Sequence, residues 1–233
     1  MQPVIEIENL YKVYNPGENE VRALDGINLV IDKGEFVAIV GHSGSGKSTL
    51  MNMIGCLDVP SRGSYKLNAV DVGSLKDNEL AEIRNNMVGF IFHSFNLIPS
   101  LTAYENVELP LIYRGVPAAK RRQLAEEALE RVGLTSRMRH RPNQMSGGQQ
   151  QRVAVARALA GKPPLILADE PTGNLDSKAG AQVFGIIEEL HREGNTIVLI
   201  THDDGLAKRA PRVVRITDGK IQTQPRPGTD EEF

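Results

Sequence analysis

Tryptophan is absent from this chain, and cysteine occurs once, at Cys56. A single thiol excludes an intrachain disulfide and a thiolate metal site. Cys56 is expected on the helix that follows residue 48, as a small core residue. Charge is balanced as well: the formal net charge is -2 over 233 residues. Such a chain has no global electrostatic footprint for nucleic acid or for an anionic membrane. Long hydrophobic runs are missing, and none approaches the roughly 18 residues of a membrane-spanning helix. The first residues, Met1 to Glu8, lack the basic and apolar layout of a signal peptide. Together these absences predict a cytosolic protein. Hydrophobic residues make up 40% of the chain, enough to build one large domain with room for an inserted subdomain.

The most informative stretch is Gly41-His42-Ser43-Gly44-Ser45-Gly46-Lys47-Ser48-Thr49, a complete G-x-x-x-x-G-K-S pattern. Before it stands the short apolar run Glu35 to Val40, rich in β-formers. After it, Ser48 to Ile54 suits a helix. A strand, a glycine-rich turn and a helix start are the context in which the pattern cradles phosphates. Backbone N–H groups curl around the anion, and the helix N-terminus adds partial positive charge. Lys47 is placed to reach the β- and γ-phosphates, and the Ser48 hydroxyl to ligate Mg²⁺. The sequence therefore predicts binding of a nucleoside triphosphate.

Strand patterns fill the first 40 residues, led by Val4, Ile5 and Ile7. Ile27–Ile31 is expected to meet Glu35–Val40 in a hairpin across Asp32-Lys33-Gly34. Further strands are predicted at Ser64–Leu67 and Val88–Phe92, with a short helix at Asp77–Arg84 between them. From about 100 to 160 the pattern turns helical. Leu124, Ala128, Leu129 and Val132 follow helical spacing and stop at Gly133. Ser146-Gly147-Gly148-Gln149 has the form of a capping box opening a second helix. Strand and helix then alternate: Leu165–Ala168, a helix through Val183, Phe184 and Leu190, Thr196–Ile200, and a hairpin around Asp218-Gly219. The tail from Gln222 to Phe233 is polar and is expected to be disordered.

Apolar strands alternating with helices predict a parallel sheet covered on both faces. Ligands of such sheets bind at the carboxyl ends of strands. Three chemistry-bearing groups fall at such ends: the phosphate loop after Val40, Asp169-Glu170 after Ala168, and His202 after Ile200. An acidic residue at Asp169 can hold Mg²⁺ opposite Ser48. A second carboxylate at Glu170 can accept a proton from an attacking water.

Met145-Ser146-Gly147-Gly148-Gln149, standing some way before the Asp-Glu pair, resembles the signature sequence of ABC ATPases, with Met145 in place of the commoner Leu. The swap conserves volume and apolarity. The resemblance covers residues 4 to about 221. It implies a P-loop NTPase (RecA-like) α/β core with an N-terminal antiparallel β subdomain and an inserted α-helical signature subdomain. The implied division is a single ATPase domain over 1–223, its core at 1–92 and 161–221 and its helical part at about 93–160. It further implies Tyr14 as the aromatic that stacks on adenine, His202 as the switch histidine, and Asp176 in a loop that touches a partner cassette. Catalysis is then expected from Glu170, His202 and Lys47. Two chains are expected to pack head to tail, with Ser146, Gly147, Gly148 and Gln149 of one facing the γ-phosphate on the other. ATP and Mg²⁺ are the implied ligands. Gly55-Cys-Leu-Asp58, Asn96–Asn106 and Ala168–Asp176 are most similar to the lipoprotein-release and macrolide-export branch. That branch pairs its cassettes with a separate membrane permease, which would hold this chain at the cytoplasmic face of the membrane.

One position departs from the family pattern. Where the family carries a glutamine near Mg²⁺, this chain has His93. A neutral imidazole still offers one donor and one acceptor, so a metal contact is feasible. The basic clusters Lys120-Arg-Arg122 and Arg137–Arg141 read as solvated faces. Two other functions remain open: a regulatory ATPase of the cell-division type, and an ABC-type ATPase acting on nucleic acid or ribosomes. The near-neutral charge and an insert of only about 60 residues speak against the last. No nucleic acid partner is expected.

Overall fold

The computed structural model describes residues 3–17 and 19–222. The chain folds as two compact units. One takes the stretch up to Ala81 together with the stretch from Gly194 onward, and the other runs Glu82–Glu193.

In the first unit, β1 (Pro3–Tyr14) and β2 (Val21–Asp32) pair antiparallel, with Ile5 opposite Ile31 and Ile7 opposite Leu29. β4 (Arg62–Leu67) lies antiparallel on the other side of β1, followed by β5 (Val70–Asp71). Ile5, Ile7 and Leu10 are buried, which anchors this sheet on one apolar face. The N-terminal antiparallel sheet is thus present as expected.

The hairpin expected across Asp32-Lys33-Gly34 does not form. The turn exists, with the Glu35 N–H donating to the Asp32 carbonyl at 3.1 Å. The chain then leaves the first sheet. β3 (Phe36–Val40) runs parallel to both β8 (Thr196–Thr201) and β9 (Arg212–Thr217). All five β3 residues are buried. A strand apolar on both faces cannot sit in a hairpin with one wet face, and a central place in a parallel sheet buries both sides. β10 (Lys220–Gln222) closes the expected hairpin with β9. Gln222 therefore belongs to a strand, and the rest of the predicted tail, 223–233, lies outside the described residues.

α1 (Lys47–Ile54) follows the glycine-rich turn. Cys56 is buried but stands past the helix, not on it: α1 closes at Gly55, and Cys56 has a left-handed φ of 53°. The fully buried Tyr65 of β4 donates its phenol hydrogen to the Ile54 carbonyl at 2.7 Å, satisfying the last turn of α1. α7 (Asp204–Ala207) is one short turn capped by Asp203.

In the second unit, β6 (Val88–Phe92) and β7 (Leu165–Asp169) are parallel, with Phe92 opposite Asp169. α2 (Asp77–Met87) leads into β6 and is longer than the predicted Asp77–Arg84. α4 (Ala118–Arg131) ends before Gly133, whose φ is 68°. α5 (Gly147–Ala160) opens on the predicted capping box: the Gln149 N–H donates to Ser146 Oγ, and the Ser146 N–H to Gln149 Oε1. α6 (Ser177–Arg192) packs on α5 so closely that a Cβ at Gly148 would lie 2.8 Å from that of Ala179. α3 (Ala103–Tyr113) has no counterpart in the sequence-based expectations. Its own capping box, Thr102 with Glu105, starts a helix that carries Pro110 inside it.

Candidate nucleotide-binding site

Parallel pairing in the first unit sets Val40 opposite Thr201. The residues that follow, Gly41 and His202, therefore leave neighbouring strand ends. His202 is exposed there. The loop Gly41–Gly46 rises from β3 and enters α1 at Gly46, whose φ is 106° and which has no side-chain cap. An α-helix leaves its first four N–H groups without intrahelical partners. These amides, with the helix dipole, present a positive end to an anion. The approach is possible because Gly46 carries no side chain: a Cβ there would meet the Ala23 carbonyl at 2.6 Å.

Lys47 bends back over the loop and donates to the carbonyls of Gly41 at 2.7 Å and His42 at 2.9 Å. It is held over the concave side of the loop, where a phosphate would exchange these two neutral acceptors for charged ones. Ser48 is exposed and Thr49 half-buried. Ser43 and Gly44 are exposed, and the His42 ring pairs its Nδ1 with the Ser43 carbonyl at 2.8 Å. Ser45 is buried, its Oγ without a partner among the described residues, while its carbonyl accepts from the Gly219 N–H at 2.9 Å. The β9–β10 turn thus braces the phosphate loop from below. Sequence reasoning read that turn only as the end of a hairpin.

Tyr14, at the end of β1, is fastened at its hydroxyl. Its phenol donates to Asp58 Oδ2 at 3.1 Å, and Lys12 holds Asp58 Oδ1 at 2.6 Å. The Lys12 ammonium also lies 5.1 Å from the Tyr14 ring centroid. Burial pushes the phenol pKa up, with Asp58 adding to the rise and Thr49 of α1 opposing it. Burial works against the Asp58 carboxylate too. Lys12, the Val59 amide and Tyr14 together prevail and hold it below the usual carboxylate range. The sequence carried no signal for Lys12 or Asp58 as supports of Tyr14.

The other predicted residues lie in the second unit. Asp169 ends β7 opposite Phe92, so Glu170 and His93 leave adjacent strand ends. Glu170 is half-buried with a left-handed φ of 45°. His93 is exposed, and its carbonyl accepts from Asn174 Nδ2 at 3.0 Å. Ser146 is the exposed N-cap of α5. Gly147 and Gly148 form the helix's first turn, where the N–H groups point outward. Asp176 caps α6, its carboxylate accepting from the Lys178 and Ala179 amides at 3.0 and 2.9 Å. Among the described residues no group of three His, Cys, Asp or Glu side chains could hold a metal by itself.

A glycine-rich loop between a buried parallel strand and an uncapped helix, with its lysine folded over it, defines a P-loop nucleotide-binding protein. More narrowly, the chain belongs to the ABC transporter family, whose model matches residues 24–173. It is 55% identical over 218 residues to the ABC transporter ATP-binding protein YvrO of Bacillus subtilis (strain 168), covering 94% of this chain and 95% of that protein. It is 53% identical over 219 residues to the macrolide export ATP-binding/permease protein MacB of Hyphomonas neptunium. That match covers 94% of this chain but 34% of MacB. Among solved structures it is similar to the ATP-binding cassette MJ0796, a dimer in a post-hydrolysis state bound to ADP and Pi. The TM-score is 0.86 at 46% identity, over 95% of this chain and 98% of that one.

Proposed function

We propose that this chain is the ATP-hydrolysing motor of an ABC transporter or mechanotransmission complex, driving a membrane permease from the cytoplasmic face. The observation that carries the reading is the phosphate loop, with Lys47 held across it by the Gly41 and His42 carbonyls. Among the described residues no helix is long and apolar enough to cross a membrane. The permease is accordingly assigned to polypeptide outside these residues.

In this reading Tyr14 stacks on the adenine, and the loop amides with Lys47 bind the phosphates. Ser48 and Asp169 would hold Mg²⁺, with His93 beside them, and the ion neutralises charge on the β- and γ-oxygens when bound. Glu170 accepts the proton of the attacking water, and His202 hydrogen-bonds the γ-phosphate. Ser146, Gly147, Gly148, Gln149 and Asp176 of one cassette close over the nucleotide of a second in a head-to-tail pair. The dimeric state of the MJ0796 cassette supports that arrangement.

Glu170→Gln tests the assignment. Losing a general base slows chemistry by roughly 10²–10⁴-fold without touching phosphate contacts. ATP affinity should stay within about two-fold of wild type while turnover disappears. With ATP, the variant should elute from a sizing column at twice the monomer mass. Hydrolysis at the wild-type rate by Glu170→Gln would sink the assignment.

A further inference from the structure

We propose that Gln151, in the second turn of α5, is a positioning residue that sets the backbone of Glu170 and His93 against the helix carrying Ser146. The inference rests on the ATPase reading above. Gln151 is fully buried. Its side-chain amide donates to two carbonyls, Phe92 O at 3.1 Å and Pro171 O at 2.6 Å. Phe92 immediately precedes His93, and Pro171 immediately follows Glu170. One NH₂ group therefore ties together the two strand ends from which those residues emerge.

The other half of the amide argues that these donations are the reason for a glutamine. Gln151 Oε1 is buried and has no partner among the described residues. A buried acceptor left unpaired costs about 1–3 kcal/mol. Methionine would fill the same volume without that cost, so packing alone does not account for the amide. The two donations do.

The surroundings show why the backbone there needs holding. Glu170 has φ 45°, and Phe95 and Asn96 have φ 61° and 50°. Left-handed backbone costs an L-residue roughly 1–2 kcal/mol, so each of these turns must be held by its neighbours. The Gly173 N–H closes the turn onto the Glu170 carbonyl at 3.0 Å. Arg157, two turns further along α5, donates to the Phe95 and Asn96 carbonyls at 2.9 and 2.5 Å. Asn174 takes the His93 carbonyl. Four carbonyls between residues 92 and 96 are thus fixed by side chains, and three of those are held from α5. A displacement of α5 produced by a ligand at Ser146 is handed to the Glu170 turn through Gln151.

The test uses the full chain and compares Gln151→Met with wild type, with Glu170→Gln, and with Asn106→Leu as a stability control. Asn106 is also fully buried in the second unit and donates to the Ile98, Leu101 and Thr102 carbonyls, none of which is a carbonyl held by Gln151. Misplacing a reacting group by about 1 Å can cost 10²-fold in rate. Gln151→Met should therefore lower kcat by about 10- to 100-fold while the Kd for ATP stays within about two-fold. Asn106→Leu should lower the melting temperature yet keep wild-type kcat well below it. A Gln151→Met kcat within two-fold of wild type would overturn the inference. So would an equal kcat loss in Asn106→Leu, or a parallel loss of ATP affinity in Gln151→Met. If Gln151→Met does not fold, Gln151→Leu, which is apolar and offers no donor to either carbonyl, is judged by the same criteria. Failure of both to fold would mark Gln151 as a purely structural residue. Absence of ATP hydrolysis by wild type strikes the ATPase reading itself, and equal hydrolysis by wild type and Glu170→Gln strikes the Glu170 assignment; both outcomes are distinct from the loss of the Gln151 role alone.

Discussion

The Tyr14 hydroxyl and the Asp58 carboxylate meet at 3.1 Å, with Lys12 on the carboxylate's other oxygen at 2.6 Å. The pair fixes the tip of the ring assigned to adenine, and it carries a pH signature. Asp58 has a folded pKa below its unfolded value of about 3.9. A depressed carboxylate contributes stability above the unfolded pKa and loses it as pH falls through the folded one. Asp58→Ala should therefore melt below wild type by roughly 3–6 °C at pH 7, the loss of about 1–2 kcal/mol of charge-assisted hydrogen bonding. Calorimetry at pH 7 and again below pH 4 should show that gap narrowing. A gap unchanged with pH would show the carboxylate charge to be irrelevant.

Two glycines of the phosphate loop should respond differently to a methyl group. At Gly46 a Cβ would press on the Ala23 carbonyl at 2.6 Å, at φ 106°. At Gly44 the Cβ would meet nothing within 4 Å, and only its φ of 79° opposes it. Gly46→Ala should cost about 3 kcal/mol or more and reduce ATP binding, because backbone must shift. Gly44→Ala should cost about 1–2 kcal/mol of left-handed strain. Denaturant titration of both variants checks the order, and equal losses would contradict the close approach at Gly46.

Lys47→Ala would remove the ground-state phosphate contact proposed for Lys47, so binding itself should weaken. A hydrogen bond to a charged group is worth about 1.5–3 kcal/mol, which is about a 10- to 100-fold rise in the Kd for ATP. Titration with a non-hydrolysable ATP analogue reads it directly. Unchanged affinity would remove Lys47 from the site.

Ser146→Arg should act in trans. The exposed N-cap of α5 would carry a bulky side chain where, in the proposed pair, a partner's γ-phosphate would dock, while the variant's own phosphate loop stays intact. Each chain should still bind ATP but should not pair. Mixing Ser146→Arg with Lys47→Ala leaves one composite site with both halves sound. Some ATP-dependent pairing should return in the mixture, seen by analytical ultracentrifugation. No recovery would count against the shared geometry.

The phosphate loop was readable in the sequence because its position, strand and helix are all local properties. So was the Ser146–Gln149 capping box, whose two hydrogen bonds span three residues. Reading failed where distant chain decides. Phe36–Val40 follows a good turn, and only its non-local neighbours β8 and β9 take it out of the expected hairpin. Pro110 and a weak amphipathic pattern hide α3, a helix stabilised by burial of Val107 and Leu111. Cys56 falls beyond α1 because Gly55 ends the helix one residue before it. Lys12, Asp58, Gln151 and Gly219 escaped for one shared reason. Each acts through a contact across the chain that no spacing rule encodes.

The strand that launches the phosphate loop has a further consequence, in the order of synthesis. β3 leaves the ribosome early, yet both of its neighbours come from the last part of the described chain. The link from Gly34 to Thr196 spans 162 residues of sequence. The turn that braces Ser45 is later still, at Gly219. Closing so long a loop must precede the contacts that reward it, which makes this a slow step with apolar strand exposed meanwhile. The second unit, continuous in sequence between Glu82 and Glu193, can collapse while the first still has only β3 of its parallel strands. A nascent chain halted near residue 190 would contain every residue of the phosphate-binding motif and still have no strand on either side of β3.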